Sequence, residues 1–343
     1  MDVPCVRVAR EAGEATRREL ADADLIDDEY EISVEDGSLY IPVVDAEAVA
    51  DDLEVVDRAP ATRETQTRPA DILGYEPSYE RLGEAALLDE DDDERAREIA
   101  DAIVASDLPL ETVLNKASKI KGETRVRDWE VLAGEDTEVV HREYGCAFAL
   151  DLAEVYFSPR LATERHRVAE QVGETRRGAD DESGNGAQGE AEHAFDMFAG
   201  VGPFVVPFAR RGAECVGVDV NETAIEYLRE NARRNGVDDR ITAICDDVRA
   251  VAPEYEGWAD RIVMNLPHSA DEFLESAVTV AGDDCVIHYY DIQHEDDPFG
   301  PGERAIREAA EPEYTVSVET ERVVRSYAPH ELNVCLDVRL ERS

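Results

Sequence analysis

Residues 196–204 read Asp-Met-Phe-Ala-Gly-Val-Gly-Pro-Phe, and this stretch decides the fold. It follows one apolar run and opens a helical segment, the place of a strand-to-helix turn. Glycines 200 and 202 let the backbone approach a ligand closely, and a helix N-terminus favours negative charge. The preceding strand is expected over AFDMF. Further strands are expected over ECVGVDV, RITAIC, DRIVMNL and DCVIHYYDI, with helical segments between them. The clearest helix runs from Glu222 to Asn235, with Asn221 as its N-cap. Such alternation predicts a parallel, doubly wound α/β sheet. Two terminal runs, EYTVSVETERVV and ELNVCLDVRL, are expected to add an antiparallel edge pair.

A bare Gly-x-Gly turn is common on structural grounds alone. Acids at successive strand ends make the ligand reading stronger. Asp219 ends the second run, where a carboxylate takes ribose hydroxyls. Asp246-Asp247 ends the third, where such folds bind an adenine amino group. The dinucleotide fingerprint requires a third glycine, but Val205 stands there after Pro203 and Phe204. That argues against a pyrophosphate, and so against a nicotinamide-dependent oxidoreductase. A phosphate-free nucleoside fits better, and S-adenosyl-L-methionine is the common one. Asn265-Leu266-Pro267-His268 ends the fourth run and resembles the Asn-Pro-Pro-aromatic loop of amino-directed methyltransferases. There an Asn side-chain carbonyl and a backbone carbonyl orient a planar nitrogen toward the methyl group, which is catalysis by positioning. His268 receives no role.

Upstream lie two smaller α+β units. Residues 1–67 contain a hairpin signal, EYEISVEDGSLYIPVV, turning at Glu35-Asp36-Gly37. An acidic, Thr/Arg/Pro-containing stretch over 57–70 reads as a linker. Residues 71–157 hold a helical period from Asp91 to Ala105 and β-like runs TEVVH, CAFALDL and EVYFS. A helix is expected over Arg160 to Gly173, opening the 158–343 domain. Residues 174–193, polar, Gly-rich and aperiodic, read as a disordered insert.

The chain has 343 residues, 81 acidic and 35 basic, for a net charge of −46. Its 43% hydrophobic content supplies a core, so the acid belongs to the surface of a folded protein. Such a surface argues against a nucleic-acid partner. Yet only three bases are Lys (Lys116, Lys119 and Lys121), and the rest are Arg. A cytoplasm of molar salt explains both features, because the Debye length there is roughly 3 Å. Six scattered Cys show neither disulfide nor zinc spacing, and no metal cluster is expected. The chain lacks an apolar N-terminal leader and any run of membrane-spanning length, so a cytoplasmic protein with no membrane contact is expected.

DMFAGVGPF, VGVDVNETAIEYLRENARRNGV, MNLPHSADEFL and VIHYYDI together resemble the archaeal–eukaryotic tRNA (guanine-N1)-methyltransferase family. The resemblance continues through KGETRVRDWEVLAGE, HREYGCAFALDLAEVYFSPRLATERHRV and SYERLGEAALL, and it covers nearly the whole chain outside the insert. It implies S-adenosylmethionine-dependent methylation of guanine N1 at tRNA position 37, by a haloarchaeal member. The implied architecture is a small N-terminal domain for the tRNA elbow, a middle domain for the anticodon stem-loop, and a class I (Rossmann-like) methyltransferase domain. A monomer is implied.

By the same resemblance Glu164 matches a general base. Guanine N1 carries a proton and is a poor nucleophile until that proton leaves. Arg125 matches a residue that stabilises charge growing on guanine O6, with Arg127 as a competitor for the role. Asn265 orients the base. Arg165, Phe198, Gly200, Gly202, Asp219 and Asp247 line the donor site. Lys116, Lys119, Lys121 and Arg127 are read as phosphate contacts, and Tyr156 and Pro267 as the pocket border. Three alternatives stand beside this reading. They are a wyosine-pathway aminocarboxypropyl transferase with the same donor, a methyltransferase acting on a wyosine precursor, and a non-catalytic tRNA-binding protein.

Overall fold

The computed structural model describes residues 2–50, 52–63, 66–118, 126–173 and 191–343. Contacts divide the chain into two units, Met1–Thr67 and Arg68–Ser343.

In the first unit, strands β1 (Val3–Ala9), β2 (Ser33–Glu35), β3 (Ser38–Pro42) and β4 (Glu54–Arg58) form an antiparallel sheet in the order β2-β3-β1-β4. The hairpin forms where the sequence places it, with Glu35 opposite Ser38. Asp36 and Gly37 turn it with φ of 49° and 76°, the pair of positive values that a two-residue turn requires. Helix α1 (Gly13–Asp22) closes a small core of Val6, Val8, Leu20, Ile41 and Val43. The expected linker over 57–70 starts too early: Asp57 and Arg58 belong to β4, paired with Pro4 and Val3. It also ends too late, since Pro69 opens helix α2 (Pro69–Leu73).

The second unit begins with α2 and with β5 (Glu80–Leu82), β6 (Ala85–Leu88), β7 (Thr112–Lys116) and β8 (Trp129–Ala133), a sheet in that order. Helix α3 (Asp93–Ala105) connects the parallel pair β6 and β7. Its N-cap, Asp92, accepts from the amides of Glu94 and Arg95. A separate hairpin follows, β9 (Glu138–Glu143) with β10 (Cys146–Asp151). EVYFS, expected as a strand, is a turn instead. Asp151 gathers it, accepting from Ala153 N through its side chain and from Glu154 N and Val155 N through its carbonyl. Helix α4 (Ala162–Glu170) comes next.

The seven-stranded sheet comprises β11 (His193–Asp196), β12 (Glu214–Asp219), β13 (Ile241–Cys245), β14 (Ala259–Met264), β15 (Ala281–His294), β16 (Tyr314–Ala328) and β17 (Glu331–Arg342). Its order is β13-β12-β11-β14-β15-β17-β16. The first five strands are parallel, and β17 enters antiparallel between β15 and β16. Helices α4, α5 (Val205–Arg210) and α6 (Glu222–Arg234) pack on one face, burying Val168, Val206, Phe208, Ile225 and Leu228. On the other face lie α7 (Val248–Val251), α8 (Leu274–Val280) and α9 (Gly300–Ala310).

The β9–β10 hairpin, expected with the middle unit, is bonded to this layer. Buried Asn231 on α6 accepts from Ala149 N at 2.7 Å and donates to Ala149 O and Val201 O, both at 3.0 Å. Strand order reverses on either side of β11. That opens a crevice at the C-terminal strand ends, where doubly wound sheets bind ligands.

Candidate active site

Asp196 ends β11 and is 1% exposed. Its Oδ1 accepts from Phe198 N at 3.1 Å, while buried Oδ2 has no partner. Burial pushes this carboxyl up to about 7; the amide of Phe198 opposes the rise and the charge of Asp219 adds to it. A buried carboxylate oxygen left open at a crevice is a recognition group for a cation. Asp196 is a site residue to which no role was assigned from sequence. Its place as the last residue of the first strand was the available signal.

The loop beyond it is shaped by Gly200 (φ 52°) and Gly202 (φ 91°). A Cβ at Gly202 would lie 2.3 Å from Leu228 Cδ1, so this turn packs onto α6 only with glycine. Gly200 N donates to Asp219 Oδ2 at 2.8 Å, and Asn221 N to Oδ1 at 2.9 Å. Burial raises the Asp219 carboxyl, and those amide bonds oppose the rise. The Phe198 ring lies edge-on to Phe273 at 5.0 Å. Asp247, two residues past β13, is the N-cap of α7 and carries an ion pair to Arg249 at 2.5 Å. The side-chain hydrogen bond from Arg249 lowers its pKa below the usual carboxylate value. Asn265 and Pro267 follow β14, half-buried and buried. Asp196, Phe198, Gly200, Gly202, Asp219, Asp247, Asn265 and Pro267 therefore stand at four successive strand ends.

Glu164, in the first turn of α4, is 3% exposed. Its carboxylate accepts from Arg167 (Nη2 at 2.6 Å) and from the Tyr290 hydroxyl (3.1 Å), and it forms an ion pair with Arg322 (Nε at 2.9 Å). Burial pushes the Tyr290 phenol well up, so its hydroxyl stays a donor. Tyr290 sits on β15 directly after Tyr289, which pairs with Met264. Asn265 directly follows Met264. The register thus sets Tyr290, which bonds Glu164, level with Asn265 at the C-terminal end of β14, and Phe204 of the glycine loop lies 5.9 Å from the Tyr290 ring.

Other expected residues fall elsewhere. Arg165 is not grouped with the donor loop. It forms a two-pronged pair with Glu143, both bonds 2.7 Å, donates to Ser158 O and covers the Phe157 ring. It lines a cavity of 270 Å³ with Tyr144, His166, Arg210 and Arg211, which contains none of the loop residues. The acid that holds it, Glu143, is on β9. Lys116, at the end of β7, is paired with Asp89 at 2.8 Å. The Arg127 guanidinium lies 5.5 Å over Trp129. Tyr156 is half-buried between β10 and α4. Arg125, Lys119 and Lys121 lie outside the described residues, as does 174–190 of the expected insert. That insert was drawn too long, because Glu192 is buried and pairs with Arg261 at 2.6 Å, and His193 opens β11. Among the Cys, Cys245 is exposed and the other five are buried.

Sequence reading missed Tyr290, Arg322 and Arg167 at the carboxylate, and Asp337 and His288 behind them. Their signal was polar residues inside apolar strands, as in VIHYYDI and VCLDVRL. His288, Cys335 and Asp337 lie close enough to hold a metal ion. Arg167 and Arg261 already bond to this trio from both sides, which disfavours a cation.

Comparison with known proteins agrees with this geometry. A family profile described as the TRM5/TYW2 methyltransferase domain matches residues 139–319. The tRNA methyltransferase 5 N-terminal domain matches 5–51, and the TYW2 N-terminal domain matches 66–137. The tRNA (guanine(37)-N(1))-methyltransferase Trm5b of Pyrococcus abyssi is 40% identical over 98% of both chains. A tRNA(Phe) (4-demethylwyosine(37)-C(7)) aminocarboxypropyltransferase of Pyrococcus horikoshii is 33% identical over 70% of this chain and 81% of its own. Among solved structures, the complex of aTrm5 with tRNALeu superposes with a TM-score of 0.70, at 30% identity over 98% of this chain and 99% of that one.

Proposed function

This chain belongs to the TRM5/TYW2 methyltransferase family, and from that premise we propose how its residues carry out the reaction. The enzyme transfers a methyl group from S-adenosyl-L-methionine to guanine N1 at position 37 of tRNA. Bound at the glycine loop, the donor supplies an electrophilic methyl carbon on its sulfonium. The loop suits it: Gly200 and Gly202 give close backbone approach, Asp219 takes hydroxyls, Asp247 faces the base, and Asp196 Oδ2 takes the cationic amino group.

In this proposal Glu164 removes the N1 proton. The observation that carries it is a buried carboxylate, held by Arg167, Tyr290 and Arg322, with Tyr290 level with Asn265 at the C-terminal strand ends. Both oxygens already hold bonds, so the incoming N–H must displace a partner. Arg322, with its side chain 45% exposed, is the one able to swing away. Asn265 accepts from the guanine edge and orients it, Pro267 stiffens that loop, and Arg125 answers the charge growing on O6. The target base leaves its stack to reach this crevice.

Residues 1–67 hold the tRNA elbow, and 71–157, with Tyr156 and the Lys cluster, hold the anticodon stem-loop. The working protein is a cytoplasmic monomer from a haloarchaeon, the setting that best accounts for its charge. The aminocarboxypropyl reading is weaker, since that relative matches a smaller share of the chain.

Replacing Glu164 by Gln tests the base directly. Single-turnover methylation should fall by about 10²- to 10⁴-fold, the usual weight of a general base, while tRNA affinity stays within about threefold. An unchanged rate would remove Glu164 from the mechanism.

A further inference from the structure

We propose that Arg167 is a positioning residue for methyl transfer, holding the Glu164 carboxylate from a buried polar chain that runs back through Asp337 and His288 to Arg261 and Glu192. The proposal rests on Glu164 being the base.

Arg167 lies three residues beyond Glu164 on α4 and clamps two carboxylates at once. Its Nε and Nη2 bond Glu164 at 3.0 and 2.6 Å, while Nη1 and Nη2 bond Asp337 at 2.5 and 3.2 Å. Asp337 is itself fixed by His288 Nδ1 at 2.6 Å and Gln171 Nε2 at 3.3 Å. Arg261 Nη1 reaches His288 Nε2 at 2.6 Å. A guanidinium only donates, so Nε2 accepts and the His proton sits on Nδ1, pointing at Asp337. Arg261 then bonds Glu192 at 2.6 Å and the Gln171 carbonyl at 3.1 Å.

Glu164, Asp337, His288, Arg261 and Glu192 are all under 5% exposed. Three carboxylates are matched by Arg167, Arg261 and Arg322 around one neutral imidazole. Burial alone would raise the Asp337 carboxyl, but His288 and Arg167 outweigh it and hold it far below the carboxylate range. Desolvating so many charges gains little stability over an apolar core. What the chain provides is geometry: a fork fixed at its far end leaves Glu164 one orientation. Arg322, by contrast, reaches Glu164 from a side chain that is 45% exposed, its Nε 2.9 Å from Oε2. Substrate therefore meets a carboxylate whose inner partner is immobile and whose outer partner can leave.

A double-mutant cycle in single-turnover methylation tests this. Arg167→Met should cost about 100-fold, the scale of a misplaced reacting group, with donor affinity by calorimetry changed less than about threefold. In the Glu164→Gln background the same change should cost less than about threefold, because its effect passes through the carboxylate. Arg167→Lys keeps the charge but loses the fork, and should recover about a tenth of the rate. It also serves if Arg167→Met fails to fold. Equal cost of either Arg167 variant in both backgrounds, or a wild-type rate in them, would overturn the positioning role and leave Glu164 as base. A wild-type rate in Glu164→Gln alone would overturn the base, and the proposal with it.

Discussion

Asp196 has one oxygen satisfied by Phe198 N and one open. Its pKa near 7 means that it is largely protonated below neutrality when the donor is absent. A cationic amino group at Oδ2 favours the ionised form, so binding releases a proton below pH 7. Donor affinity should thus strengthen as pH rises from 5.5 to about 7, by up to about tenfold per unit, and level off above. The sign for stability is opposite. The folded state holds a proton that the unfolded state loses near 3.8, so this group's contribution declines between 3.8 and about 7. Calorimetric titration of the donor across this range checks the first statement. The variant Asp196→Asn should be weaker and flat with pH, and an unchanged slope in it would remove Asp196 from the donor site. At this scale the sequence was partly legible. Asp219 and Asn265 show themselves by standing at strand ends. Glu164 has no such mark, being one acid among 81. Only its resemblance to a family picks it out, because burial and three partners are properties of the folded chain.

Asn231 shows how elements are tied to the site. Its amide joins β10, α6 and the glycine loop through Ala149 and Val201. Asn231→Ala strands three buried backbone groups, each costing about 1–3 kcal/mol. The expected result is a lowered melting temperature and, since Val201 lies between the two loop glycines, a donor affinity reduced by about tenfold or more. A large drop in melting temperature with intact donor affinity would mean the loop holds its shape without Asn231. Strand and helix periods were readable here because the parallel strands are mainly apolar and α6 is amphipathic and capped by Asn221. EVYFS was misread because Asp151 captures three nearby amides, a local competition that period counting does not see. The end of the insert was misread for a similar reason: Glu192 looks solvated until Arg261 is placed beside it.

For the whole molecule the question is how a chain of charge −46 acts on RNA. In the molar salt of the proposed haloarchaeal setting, that charge would be screened within roughly 3 Å and counterion release would contribute little to affinity. Recognition then leans on shape, stacking and a few cations. Converting Lys116, Lys119 and Lys121 together to Gln should weaken tRNA binding several-fold while donor affinity is unchanged; equal tRNA affinity would contradict it. Lys116 contributes least to this expectation, as its ammonium already pairs with Asp89. The charge first pointed away from a nucleic-acid partner. In the haloarchaeal setting proposed above it describes the solvent, and the site describes the substrate.

Nucleoside mass spectrometry of a tRNA bearing G37, incubated with enzyme and S-adenosylmethionine at high salt, is the most direct test. The account predicts a gain of one methyl group, located on N1 of guanosine 37 and lost when Glu164 is replaced by Gln. A heavier aminocarboxypropyl adduct, a methyl group on another atom, or full methylation by the Gln variant would contradict it.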